Sequence, residues 1–290
     1  LGQEDRMSYG PNPWQQAHWD WRAAGNFMFG GAGAGLLVAT PYAGAEGMPN
    51  TLLVLAGMAL IGLGLLCVWL EIGRPLRAMN VMRRPGSSWM SRESMVAPLV
   101  FGLGLAVAAG LRAWAPLLVL AALGFLYCQA RIVQAAKGIP AWREPMIVPL
   151  LVATGLAEGA GLYWLGALAL SVPMRPGAAG SLLPFLFALV VLLRWIAWRA
   201  WRSRIAASAA PRALAQIERA GSAMLWFGTL LPIALALPAA AGIPGTAWLL
   251  AAAGVCAAAA GAFFKFTLIT RAAFNQGFRL AHLPVRGVPR

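Results

Sequence analysis

Residues 51–94 read TLLVLAGMALIGLGLLCVWLEIGRPLRAMNVMRRPGSSWMSRES. The stretch from Thr51 to Leu70 carries no charge, and it has the length of about 20 residues needed to cross a hydrocarbon core. The stretch from Glu71 to Ser94 then carries five arginines and two glutamates, and a further apolar run follows it. An apolar run of bilayer length, a charged loop and a second apolar run are the alternation of a chain that crosses a membrane repeatedly. The same alternation extends in both directions, with runs at 25–44, 51–71, 95–114, 116–136, 146–172, 180–200, 222–242 and 246–268. The expected fold is an all-α polytopic membrane protein with eight transmembrane helices, arranged as two four-helix bundles. Residues 1–24 form an N-terminal interfacial or docking arm, 25–272 the transmembrane domain and 273–290 a basic tail.

Composition agrees with this reading. The 290 residues are 60% hydrophobic and 11% charged, whereas soluble domains average about 45–50% apolar and roughly 25% charged. That excludes an ordinary soluble domain. The first 24 residues hold no apolar core, so no cleavable signal peptide is expected there. Cys67, Cys128 and Cys256 fall in three different spans without CxxC spacing, which is the usage of small core residues rather than of metal ligands.

The net charge of +14 raises the possibility of nucleic acid, but its distribution argues for topology. With eight spans, both termini and the loops after spans two, four and six share one face. Of 23 Lys and Arg, Arg112 and Arg175 belong to the opposite face, leaving 21 on the first face or its helix ends. Such asymmetry marks the cytoplasmic side. The expected location is therefore the cytoplasmic membrane with both termini inside. Arg131, Arg194 and Arg199 sit near span ends, where long stems can snorkel to the interface. Orientation accounts for Arg83 and Arg84. It does not account for Glu71 and Glu93.

Several features of the spans bear on chemistry. Gly25, Gly30, Gly31, Gly33 and Gly35 give the first span a smooth face for close helix approach. The two histidines, His18 and His282, lie outside every span, so axial ligation of a haem between helices is not expected. His18, just before the first span, reads either as a solvated interfacial residue or as a hydrogen-bonding group near a ligand. Glu71 closes the second span before Gly73 and Pro75; it is either a snorkelled acid paired with Arg74 or Arg77, or part of a site. Glu93 opens the third span two residues after Ser91, a suitable N-cap; it either complements the helix dipole or belongs to the same site. Both acids face one loop at one depth, where a lipid-soluble ligand would meet water-borne protons. Glu158 lies mid-span among Gly155, Gly159 and Gly161, and is a secondary candidate for proton or ligand handling, or else a hydrogen-bonded structural acid.

The segment LEIGRPLRAMNVMRRPGSSWMSRE (Leu70 to Glu93) resembles the second-to-third span region of the DMSO-reductase anchor-subunit family. The stretches ARIVQAAKGIPAW (Ala130 to Trp142) and ITRAAFNQGF (Ile269 to Phe278) are similar to that family's segments after the fourth span and at the end of the eighth. The resemblance implies a haem-free, metal-free anchor that exchanges electrons with membrane quinone. Its partners would be a ferredoxin-like iron–sulfur subunit and a molybdopterin catalytic subunit. It implies quinone-reacting positions at Glu71 and Glu93; Arg74, Arg77, Asn26, Ser91 and His18 are the further candidates for the quinone site, and Trp14, Trp19, Arg83, Arg84 and Trp142 the candidates for partner docking. One departure matters: familiar members carry histidine where this chain has Glu71, and an ionised glutamate cannot donate a hydrogen bond. The arm and tail look closest to the anchor of phenylacetyl-CoA:acceptor oxidoreductases, which suits an intracellular CoA thioester as the partner's substrate. A reductase anchor that oxidises quinol, or a secondary transporter built around Glu158, are the other readings of the chain.

Overall fold

The computed structural model describes residues 13–71, 80–173 and 178–277. Among them, eight helices are long and apolar enough to cross a membrane: α1 (Trp21–Tyr42), α2 (Gly47–Glu71), α3 (Trp89–Ala108), α4 (Arg112–Ala135), α5 (Ile147–Ala169), α6 (Leu182–Ile205), α7 (Pro211–Ala240) and α8 (Ala247–Thr270). Neighbours in sequence pack as antiparallel pairs. Helices α1 to α4 form a ring, α4 returning to α1, and α5 to α8 form a second, α8 returning to α5. The two rings meet where α1 and α4 pack on α5 and where α1 packs on α8. Glycines make these contacts close. Between the rings, a methyl group at Gly35 of α1 would run into the Gly155 carbonyl of α5, and within the second ring one at Gly161 of α5 would lie 2.5 Å from the Gly254 carbonyl of α8.

Three expectations about the helices need correction. Span α3 starts at Trp89, because Ser88 and not Ser91 is the N-cap: the Ser88 hydroxyl accepts from the Ser91 N–H at 3.3 Å. Glu93 therefore lies beyond the first helical turn and is buried, instead of complementing the dipole at an exposed end. The seventh span, expected at 222–242, begins earlier, at Pro211. Residues Pro211–Leu225 continue through a π-helical turn, Trp226–Leu230, into Leu231–Ala240. The third correction concerns Arg194. Rather than snorkelling, it is fully buried, and it donates to the carbonyl of Ala257 at 2.8 Å and to that of Gly228 in the π-turn. Burying an ion costs several kcal/mol unless partners compensate. A π-turn supplies such partners, because its wider hydrogen-bond ladder frees carbonyls for outside donors.

The arm and the chain's other end are tied together. Gln15 bridges Phe274 in antiparallel fashion, the Gln16 N–H donates to the Ala273 carbonyl at 2.9 Å, and Asn275 N–H donates to the Trp14 carbonyl at 3.0 Å. The Gln16 side chain also donates to the Ile269 carbonyl at the end of α8. This clamp lays Trp19 across the end of α1, stacked on Trp142 with ring centroids 4.9 Å apart.

Candidate functional site

A second π-helical turn, Asn26–Gly30, interrupts α1 just inside its N-terminal end. The freed carbonyls of Asn26 and Phe27 accept from Gln129 Nε2 of α4 at 3.1 Å and from Lys265 Nζ of α8 at 2.9 Å. Gly30 and Gly31 make room for these donors, since a Cβ at either position would collide with Gln129 or with Lys265. The local sequence thus explains the local geometry: a glycine pair lets two polar side chains reach the backbone, and those side chains hold the turn open.

The opened turn places Asn26 in a cleft of about 240 Å³ with Glu71, Glu93 and Trp19. Val68 from α2, Met90 from α3 and Ile132 from α4 supply apolar walls. Glu93 is 5% exposed and Asn26 3%, and the side-chain amides of Asn26 and Gln129 lie beside the Glu93 carboxyl. Among the described residues no ion pair reaches Glu93. Its Oε1 and the Asn26 Oδ1 are both buried without a hydrogen-bond partner. A buried unpartnered polar atom costs about 1–3 kcal/mol, so two of them in one cleft mark a seat for a ligand with hydrogen-bonding groups. The volume lies below the roughly 300–1,000 Å³ of sites that enclose a whole drug-sized ligand. The cleft has room for a small ring and not for a whole drug-sized molecule.

Glu71 is half-buried at the rim. Arg22 is the cation beside it among the described residues; the Arg22 guanidinium pairs with Asp20 at 2.8 Å and donates to the Leu70 carbonyl at 2.9 Å. Asp20 caps the start of α1, and this guanidinium holds its carboxyl below the usual carboxylate range. Arg74 and Arg77, expected beside Glu71, lie outside the described residues, as does His282. Ser91 is buried but turned away from the cleft, its hydroxyl donating to the Val81 carbonyl and pinning the loop. His18 is exposed on the arm.

The residues expected to dock a partner fall into two groups. Trp14, Arg83 and Arg84 are exposed on the face that carries the arm. Trp142 is buried, with Nε1 donating to the Leu268 carbonyl at 3.1 Å, while Trp19, half-buried and stacked on Trp142, lines the cleft.

Glu158 does not line the cleft. It is 1% exposed and forms an ion pair with Lys265, 2.6 Å between Oε2 and Nζ. Because the same Nζ holds the Phe27 carbonyl, the pair connects the centre of α5 to the π-turn that presents Asn26. Sequence reasoning missed Lys265 and Gln129. Both were visible as polar residues within the apolar runs GAFFKFTLIT and GFLYCQARIV. A further cavity of about 270 Å³ opens near the other end of α1, between Tyr42, Leu156, Tyr163, Trp164 and Phe187. It is almost wholly apolar and holds no carboxyl group.

The family model of the DMSO reductase anchor subunit matches residues 50–198. That segment contains Glu71, Glu93, Gln129 and Glu158. The C subunit of the anaerobic dimethyl sulfoxide reductase of Escherichia coli (strain K12) is 27% identical over 206 residues, covering 67% of this chain and 71% of that protein. With eight helices fit to cross a membrane and a family match over half its length, this chain belongs to the DMSO reductase anchor subunit family and is a multi-pass membrane anchor subunit.

Proposed function

We propose that this anchor is the quinone-reacting subunit of a molybdopterin and iron–sulfur oxidoreductase, with the quinone ring held in the Asn26–Glu71–Glu93 cleft. The observation that carries the reading is the pair of buried, unpartnered polar atoms, Asn26 Oδ1 and Glu93 Oε1, in a small cleft at the end of the bundle. A quinone needs a hydrogen-bond donor at a carbonyl, a proton carrier, and an apolar wall. Protonated Glu93 can donate to a quinone carbonyl and carries the proton within the cleft, the free Asn26 Oδ1 can accept from the hydroxyl of the quinol form, and Glu71 at the rim exchanges the proton with water. Trp19 closes one side of the ring site. Electrons come from or go to a cluster in a ferredoxin-like partner that binds the exposed cationic face beside the arm.

The charge asymmetry supports a cytoplasmic location for that face. A reporter fused after Arg290 should then be active only as a cytoplasmic fusion; activity confined to the far side of the membrane would reverse the orientation. A cytoplasmic partner suits a substrate that does not cross membranes, such as phenylacetyl-CoA, with electrons flowing towards quinone. The similar bacterial protein is part of a reductase, which favours the opposite flow, from quinol to the partner. One cleft serves either direction. The transporter reading required paired broken helices in matching halves. The π-turns of α1 and α7 stand at non-matching places, and both helices continue past them.

Purification tests the reading as a whole. Isolated from its native membrane through an affinity tag, the chain should bring down a soluble subunit with iron–sulfur absorption. It should show no reduced-minus-oxidised haem spectrum of its own. Recovery without any iron-containing partner would contradict the reading.

A further inference from the structure

A cleft of about 910 Å³ on the face that carries the arm is separate from the one described above. It lies over the connection between α4 and α5 and is lined by Arg131, Lys137, Arg143 and Arg204, with Glu144 as the one carboxylate and Trp89 at its edge. The lining is therefore four cations against one anion. Arg204 donates to Glu144 at 3.3 Å, and Arg143 donates to Gln276 at 2.9 Å. Arg131 donates to the Tyr127 hydroxyl at 3.0 Å and stands over the Trp89 ring at 4.5 Å, but its Nε is buried with no partner. Lys137 makes no ion pair among the described residues. Three positive charges are left to be matched by something else.

We propose that this cleft binds the phosphate headgroup of an anionic phospholipid, with a two-phosphate headgroup matching the charge best. Two features favour lipid over a soluble partner's acidic segment. The cations sit at the ends of α4 and α6 and on the connection between α4 and α5, the level of the headgroups, where basic pockets between spans bind such lipids. The helices that end at the cleft also present apolar surface beside it. α4 and α6 do not pack along one another, and on these same helices Leu120, Tyr127, Leu193 and Ile196 are exposed. Acyl chains on those helices would lie directly below a headgroup seated between Arg131 and Arg204. The guanidinium groups offer the forked donors that bind phosphate oxygens, and Trp89, held between Arg92 at 4.0 Å and Arg131, keeps the latter in place. Lipid binding here is independent of the quinone cleft.

The test uses the intact complex, delipidated in mild detergent and titrated with vesicles of cardiolipin, phosphatidylglycerol or phosphatidylcholine, and separately with inorganic phosphate. Retained lipid is read by native mass spectrometry and thermal stability by Tm. The parent protein should retain cardiolipin most, phosphatidylglycerol less and phosphatidylcholine least, with Tm rising in the same order. The double variant Arg131→Gln, Arg143→Gln should lose cardiolipin retention by on the order of 30-fold, from about two cations' attraction. Arg212→Gln, Arg219→Gln, with the same change of charge at exposed positions on the same face, should retain the lipid as the parent does. Equal retention of all three lipids would overturn the proposal. So would an equal Tm rise with inorganic phosphate alone, or loss of the soluble subunits from the Arg131→Gln, Arg143→Gln variant with lipid retention unchanged, which would assign the cleft to the partner.

Discussion

Glu93→Gln should insert, fold and hold its soluble partners, yet lose quinone-linked turnover by about 100-fold, the lower end of what a positioned proton carrier contributes. Turnover measured with a dye that exchanges electrons directly with the soluble subunits should stay within about twofold of the parent. Glutamine keeps the shape of the side chain and its contacts with Asn26 and Gln129, so a loss confined to the quinone assay isolates the proton. Glu71→Gln should give a smaller loss, because Glu71 is half-exposed at the rim and water can replace it. Equal losses in both assays would mean that the buried carboxyl supports the fold alone. Normal quinone turnover in both variants would move the ring site elsewhere.

Lys265→Met should be the most destabilising single change in the bundle. It removes the ion-pair partner of buried Glu158, leaving only the more distant charge of Arg194, which costs about 3–5 kcal/mol, and it leaves the Phe27 carbonyl without its donor. Adding Glu158→Gln should restore most of the lost Tm in detergent, because the pair is then removed together. The double variant should fold but bind quinone poorly, since the π-turn that presents Asn26 has lost one of its two outside donors. A Lys265→Met single variant as stable as the parent would refute the ion pair; a double variant with normal quinone affinity would separate it from the cleft.

The spans were legible because a bilayer imposes one length on every crossing, and uncharged runs such as Thr51–Leu70 report that length directly. Their ends were not. Trp89–Ser94 and Pro211–Leu225 are polar helical stretches that continue a span beyond the apolar run, and hydropathy does not register them. Within the site, Glu71, Glu93 and Asn26 were legible from their places near span ends on one face. Gln129 and Lys265 were legible as polar residues in spans but not as partners, since a hydrogen bond to a carbonyl far along the sequence leaves no mark on spacing. The π-turns were hidden for the same reason: glycine pairs signal close approach, but which side chain arrives is decided by another helix. Trp142 shows the opposite error. An aromatic beside a basic loop reads as surface, whereas its indole N–H finds the Leu268 carbonyl inside.

The measurement closest to the central claim is photoaffinity labelling of the intact complex with an azido-quinone, followed by peptide mapping. The cleft account predicts label on the segments that meet at Asn26 and Glu93, namely residues 19–27, 68–71, 90–93 and 132, and predicts that excess natural quinone suppresses it. Competable label concentrated instead on Tyr42, Trp164 and Phe187, around the apolar cavity at the other end of α1, would contradict the account and place the ring on the opposite side of the bundle.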